Sequence, residues 1–189
     1  MTLRDDLFEQ TPNRSEIYQY EARSQGAEAN AKGRELEHQV RSLFMGRGAL
    51  LTPHHKYVKG SEDFFNRRLL VPQFPYAAVM GQKARADLVY FHDPKMLGVG
   101  IECKVQDDSG SADEKLFVMY HNSRRWKFAD HSWFVLSGNG FRKHFVEWLQ
   151  NRAETEYPGG PKVRVFVSLD ALRVAVRRLV TNGDPSGGA

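Results

Sequence analysis

The stretch GVGIECKVQ, residues 98–106, sets apolar side chains at Val99, Ile101, Cys103 and Val105 against charged ones at Glu102 and Lys104. Alternation with a period of two marks a strand with two unlike faces. The face carrying Glu102, Lys104 and Gln106 needs a reason, because charges are rarely buried unless they are paired or hold an ion. Just upstream, residues 86–91 (ADLVYF) form a second apolar run, and the intervening HDPK has the proline-containing signature of a turn. Folding the first run back on the second makes an antiparallel pair. Phe91 then meets Leu97 or Gly98, and Asp87 falls opposite Glu102 to within about a residue. Directly opposed residues have Cβ atoms about 5 Å apart, so two like charges there repel unless a cation lies between them. Hard carboxylate oxygens with room for water suit Mg²⁺ or Mn²⁺. Gly98 and Gly100 share the face of Glu102 and are expected to leave it open to a bulky ligand.

Outward from this pair, helix and strand patterns take turns. Residues 31–46 place Leu36, Val40, Leu43 and Phe44 on one helical stripe, with Gly46 or Gly48 to end it. Residues 49–58 read as a strand, and 60–83, rich in proline and aromatics (VPQFPY), as a long loop. Then come a helix over 113–127, a strand at WFVLSG, a helix from about Arg142 to Thr155 and a strand at VRVFVS. The last element is a helix over 169–180, striped by Leu172, Val176, Leu179 and Val180. The alternation predicts an α/β domain with helices on both faces of a central sheet.

The chain has 189 residues, enough for one domain with a sizeable core. Residues 31–180 are expected to form that domain. Residues 1–30 read as an acidic N-terminal arm, either flexible or a loosely docked helix, with little periodicity until about Ile17, and 181–189 (TNGDPSGGA) as a disordered tail. A single cysteine excludes an internal disulfide and a Cys-based zinc site. No apolar run approaches the roughly 18 residues of a membrane helix. The first residues, MTLRDDLFEQ, are acidic and polar, unlike a secretory leader, so a cytoplasmic location is expected. Residues 1–30 hold six acids against three arginines, which leaves the remainder with 24 basic and 17 acidic residues, a net of +7. A basic body of that kind favours a polyanionic partner, nucleic acid above all.

Asp87, fourteen intervening residues and then Glu102-Cys103-Lys104 resembles the PD-(D/E)XK nuclease superfamily, which includes many restriction endonucleases and Holliday-junction resolvases. Ala86 stands where the superfamily often has proline. Acid-x-Lys triplets occur twice more, at Asp93-Pro94-Lys95 and Asp113-Glu114-Lys115, but only the central one lies in an alternating strand with an acid across a hairpin. The resemblance covers roughly residues 31–140. It implies a three-layer αβα restriction-endonuclease-like core with a central mixed sheet, DNA as substrate, and Mg²⁺ as cofactor with Mn²⁺ as substitute. Asp87 and Glu102 would bind the metal, with the Cys103 backbone carbonyl as a third ligand. Lys104 would position or activate the attacking water. A glutamate on the first helix commonly completes such sites, and Gly33-Arg34-Glu35-Leu36-Glu37 nominates Glu37 over Glu35, acting directly or through a water. The stretch KVQDDSGSADEKL resembles the loop and helix that follow the motif in one subgroup, which puts accessory residues at Gln106 and Lys115.

Phosphate contacts are expected from the basic runs Arg67-Arg68, Arg124-Arg125-Trp126-Lys127 and Arg142-Lys143-His144. Cutting both strands of a duplex takes two active sites, so a homodimer or other homo-oligomer is expected. Two other function classes stand beside the endonuclease. One is a DNA-binding module of the same fold without catalysis, against which the intact Asp87, Glu102 and Lys104 speak. The other is an interaction protein working through its N-terminal arm. The bland reading of Glu102 and Lys104 is a solvated strand face with a weak salt bridge, and it leaves the acid across the hairpin unexplained. Cys103 is expected in the core, with Trp126, Trp133 and Trp148. His54 and His55 are read as loop or surface residues.

Overall fold

The computed structural model describes residues 14–59, 64, 66–107, 112–154 and 160–185. Residues 1–13 of the expected arm and 186–189 of the expected tail lie outside these. In chain order the elements are α1 (Arg14–Met45), β1 (Leu50–Leu51), α2 (His54–Val58), β2 (Leu69–Ala77), β3 (Lys83–Phe91) and β4 (Gly98–Val105). They continue with α3 (Ala112–Ser123), β5 (Ala129–Ser137), α4 (Lys143–Glu154), β6 (Lys162–Phe166) and α5 (Leu169–Asn182). The six strands form one mixed sheet in sequence order. β2, β3 and β4 run antiparallel to their neighbours in the meander, while the β1–β2, β4–β5 and β5–β6 pairs are parallel. No helix among the described residues is long and apolar enough to cross a membrane.

Helices cover both faces, as the alternating pattern predicts, and the architecture is the three-layer αβα core with a central mixed sheet. On one face Leu36, Val40 and Phe44 of α1 and Leu172, Ala175, Val176 and Leu179 of α5 pack on Leu88, Tyr90, Val99, Ile101, Cys103, Trp133 and Val135. On the other, Leu116, Met119 and Tyr120 of α3 and Leu149 of α4 cover Phe134, Leu136 and Val163. A third cluster joins Trp126, Tyr57 and Phe128 to the β2–β3 hairpin. Burying such side chains contributes roughly 1.5–3 kcal/mol each. Trp126 and Trp133 are buried, and Trp148 is half-buried against the α3–α4 cluster. α5 is closed at both ends: the Ser168 hydroxyl accepts from the amides of Asp170 and Ala171, and Gly183 adopts φ 68° at its C-terminus.

Four expectations change. Residues 49–58 are not one strand: only Leu50 and Leu51 pair, with Leu69 and Leu70. Pro53 has no N–H for a ladder, and the chain turns there into the short helix α2, where the His54 ring packs edge-on against Phe74. Residues 60–83 are not a loop throughout, since 69–77 form the nine-residue strand β2 despite Pro72 and Pro75. β1 covers only the first two residues of β2, so from Val71 onward β2 is an edge strand, where proline costs no ladder bond on the open side. The helix expected from residue 31 begins at Arg14. At the other end α5 runs through Asn182, past the expected start of the tail.

Candidate active site

β3 and β4 pair Tyr90 with Val99, Val89 with Gly100 and Leu88 with Ile101. The next step in this register sets Asp87 against Glu102. Pairing stops there, and the Cys103 amide donates instead to Asp87 Oδ2 at 2.8 Å. On the far side of β3 the β2 register skips the corresponding residue, Gln73, which is exposed and has φ 52°. Strand alternation breaks at that step on both strands. Val71 and Phe74, like Val89 and Ala86, enter the same apolar cluster although each pair differs by an odd number of residues. The break turns the Asp87 carboxylate toward β4.

Glu102 is 5 % exposed. Lys104 Nζ stands 3.7 Å from Glu102 Oε2 and 4.0 Å from Asp87 Oδ2. Burial, then the neighbouring Asp87 charge, pushes the Glu102 carboxyl up to about 8, with Lys104 pulling the other way. For Lys104, burial works to lower the ammonium's pKa, but Asp87 and Glu102 outweigh it and hold it above its ordinary value. It is therefore a cation and a hydrogen-bond donor at neutral pH. The Cys103 thiol lies on the core face, and burial followed by the charges of Asp87, Glu37 and Glu102 keeps it neutral.

These groups open onto a cleft of about 490 Å³ lined by Tyr76, Arg85, Asp87, Glu102, Lys104, Glu114, Lys115 and Asn122, with Val118 and Met119 on its α3 wall. Lys115, expected as an accessory residue, is in this wall. Glu37 sits beside the cleft on α1: burial and then the Asp87 charge raise its carboxyl, while Arg41, 3.2 Å away, and Lys104 pull it down. Glu35 is exposed and accepts from Gln39 instead. Gln106 does not line the cleft; it follows β4, its backbone amide donating to Ser137 O and its carbonyl accepting from Gly140 N.

None of the seven arginines and lysines in the basic runs expected to contact phosphate lines the cleft. Arg67 and Arg68 precede Leu69, which pairs with Phe91, four residues along β3 from Asp87. The Arg124 guanidinium donates to Pro161 O, and that of Arg125 to Val79 O at 2.9 Å, so both tie segments together. Lys143 pairs with Glu147 at 3.4 Å, while Lys127 and Arg142 are exposed. Gly98 and Gly100 do not leave an open face. A Cβ on Gly100 would lie 2.2 Å from Trp126 Cζ3, and one on Gly98 would meet Tyr90 O and Val89. The indole fills the space beside Gly100, β3 closes that beside Gly98, and the cleft opens one step further along β4.

Sequence reasoning missed Tyr76, Arg85 and Asn122. Tyr76 was hidden with β2. Burial and then the Glu102 charge raise its hydroxyl to about 12, so it stays a neutral donor beside the carboxylates. Arg85 had a signal, two residues before Asp87 on one strand.

A family model of the PD-(D/E)XK nuclease superfamily domain matches residues 28–179. The chain belongs to the PD-(D/E)XK nuclease superfamily. No curated protein and no solved structure matches it. Members of this superfamily generally use divalent metals. Among the described residues no group of three or more His, Cys, Asp or Glu side chains is arranged to hold an ion alone. The pair present nonetheless fits Mg²⁺, which keeps several waters and binds through one or two carboxylates together with substrate phosphate oxygens. The buried Glu102 beside a second acid, with Lys104 as the nearby cation, is a place where a divalent cation would relieve repulsion.

Proposed function

We propose that this PD-(D/E)XK protein is a metal-dependent endonuclease that hydrolyses phosphodiester bonds in DNA. The observation that carries the reading is the convergence of the Asp87 and Glu102 carboxylates with the Lys104 ammonium in one open cleft, Glu102 being buried. Asp87 and Glu102, with the Cys103 carbonyl as third donor, would hold Mg²⁺ or Mn²⁺. When bound, such an ion neutralises non-bridging phosphate oxygens, activates water and stabilises the leaving oxygen.

The chain's own groups divide the remaining work. Lys104, kept protonated by the two carboxylates, donates a hydrogen bond that orients the attacking water or stabilises charge building on the phosphate; it acts as a donor, not a base. As the water oxygen bonds to phosphorus it gives up a proton to solvent, the bond to the leaving oxygen breaks, and that oxygen takes up a proton from solvent. Asp87 is held in place by the Cys103 amide, so its carboxylate does not have to be ordered when substrate arrives. Glu37 borders the site from α1 and orders water on that side. Cutting both strands calls for two such sites, so the working species in this reading is a homodimer, which sedimentation of the purified protein tests.

The test is cleavage of supercoiled plasmid and of branched DNA in Mg²⁺, Mn²⁺ or EDTA, with Glu102→Ala and Lys104→Ala alongside. Metal-dependent cleavage that disappears in Glu102→Ala and falls by at least about 10²-fold in Lys104→Ala is the expected result. Cleavage that survives EDTA, or both substitutions, overturns the assignment.

A further inference from the structure

We propose that Arg85 grips a phosphate one or two nucleotides from the scissile bond, and so positions the nucleic-acid strand in the cleft. The inference rests on the nuclease reading above and adds a substrate contact to it.

The cleft holds three acids, Asp87, Glu102 and Glu114, and three bases, Arg85, Lys104 and Lys115. Lys104 is committed to Asp87 and Glu102. Asp87, the nearest acid to Arg85 along the strand, is taken by the Cys103 amide and by Lys104. The Arg85 side chain is exposed and forms no ion pair or hydrogen bond with any described residue. A guanidinium presents a fork of donors that matches phosphate oxygens in pairs, and it stays charged at any working pH.

Its backbone is also held firmly. Arg85 pairs with Pro75 across the β2–β3 hairpin. The tip of that hairpin is tied to the end of α3 twice: Val79 N donates to Asn122 Oδ1 at 2.9 Å, and the Arg125 guanidinium donates to Val79 O at 2.9 Å. The cation therefore stands on a braced strand and not on a loop, which lowers the ordering cost of the contact. Two residues of strand put its Cα about 6.8 Å from that of Asp87, comparable to the axial rise of about two nucleotides. That offset assigns Arg85 to a flanking phosphate, leaving the reacting one to Asp87, Glu102 and Lys104.

The test measures binding of a fluorescent DNA duplex by anisotropy in EDTA across a KCl series, together with kcat and KM for cleavage in Mg²⁺. The proteins are wild type, Arg85→Ala, Arg85→Lys and Lys95→Ala, the last in the turn at the opposite end of β3. Losing one phosphate contact flattens the slope of log K against log salt by about 0.9. Arg85→Ala should show that change and raise KM about tenfold with kcat within about twofold. Arg85→Lys should recover the slope, because it keeps the charge, and Lys95→Ala should match wild type. An unchanged slope and KM in Arg85→Ala overturns the clamp while the nuclease reading stands. So does an equal loss in Lys95→Ala, which marks a general charge effect. A wild type that neither binds nor cuts DNA overturns both, and that pattern is seen before any variant is compared.

Discussion

The Cys103 amide donates to the Asp87 carboxylate at 2.8 Å, at the point where the β3–β4 ladder would otherwise have continued. A carboxylate thus takes the place of a backbone carbonyl. Glu102, next to Cys103, leaves the plane of that exchange on the cleft face. One hydrogen bond therefore sets the separation of the two acids, and the positive φ of Gln73 on the adjoining strand accommodates the break. Asp87 serves both the sheet and the site.

Asp87→Asn separates these two duties. The amide oxygen still accepts from Cys103 N–H, so the melting temperature should stay within about 3 °C of wild type. The negative charge is gone, and cleavage should fall at least about 10²-fold. Melting curves and single-turnover rates on one preparation check this. Equal loss of folding and activity would show that Asp87 matters through the sheet alone.

Glu102→Gln should stabilise the metal-free protein. The folded carboxyl is raised to about 8 from an ordinary 4.5, chiefly by burial. The folded state therefore binds more protons than the unfolded one between those values, and stability falls as pH rises through that window. Glutamine carries no charge to desolvate. In EDTA the variant should melt at nearly the wild-type temperature at pH 4.5 and several degrees higher at pH 8.5, an advantage on the order of a few kcal/mol. The same substitution should abolish cleavage. A variant less stable than wild type at pH 8.5 would mean that the ionised carboxylate is not a burden on the fold.

The part of the site that was legible in the sequence is the part carried by strand alternation and one tight turn. Glu102 and Lys104 stood out because they interrupt the apolar face pattern of β4, and the HDPK turn fixed Phe91 near Gly98, which carries Asp87 to Glu102 by counting. Asp93 closes that turn, its carbonyl accepting from Met96 N and its side chain from Lys95 N. β2 was illegible because Pro72 and Pro75 argue against a strand, and only the sheet context makes this an open edge. Tyr76 was lost with it. The N-terminal half of α1 was legible only as one of two options for a polar arm, since the apolar stripe read in the sequence begins at Leu36. The basic runs drew attention through local charge density, yet Arg124 and Arg125 serve as ties to Pro161 and Val79, while the isolated Arg85 reaches the cleft.

Lys104→Ala should lower cleavage by about 10²–10³-fold while DNA binding weakens only slightly, because its role falls in the transition state. Its ammonium is held above its ordinary pKa, so the wild-type rate should show no alkaline limb from Lys104 through pH 9. A pH–rate profile and the variant's single-turnover rate test both points. A rate that climbs through the range in which a lysine loses its proton would assign Lys104 as the base instead of the donor.

Gly100→Ala tests why that position lacks a side chain. An open face would accept a methyl group freely, but the added Cβ would lie 2.2 and 2.4 Å from Trp126 Cζ3 and Cε3. The indole is 4 % exposed and packed against Phe128 and Tyr76, so it has little room to retreat. Overpacking of this kind costs about 1–3 kcal/mol, or a drop of roughly 2–10 °C in melting temperature for a chain of this size. Because Tyr76 lines the cleft, a displaced Trp126 should also disturb the wall beside Glu102, and cleavage should fall along with stability. A variant with unchanged melting and activity would mean that the ring swings aside without cost, and that the close approach of Trp126 to β4 does not hold the cleft in shape.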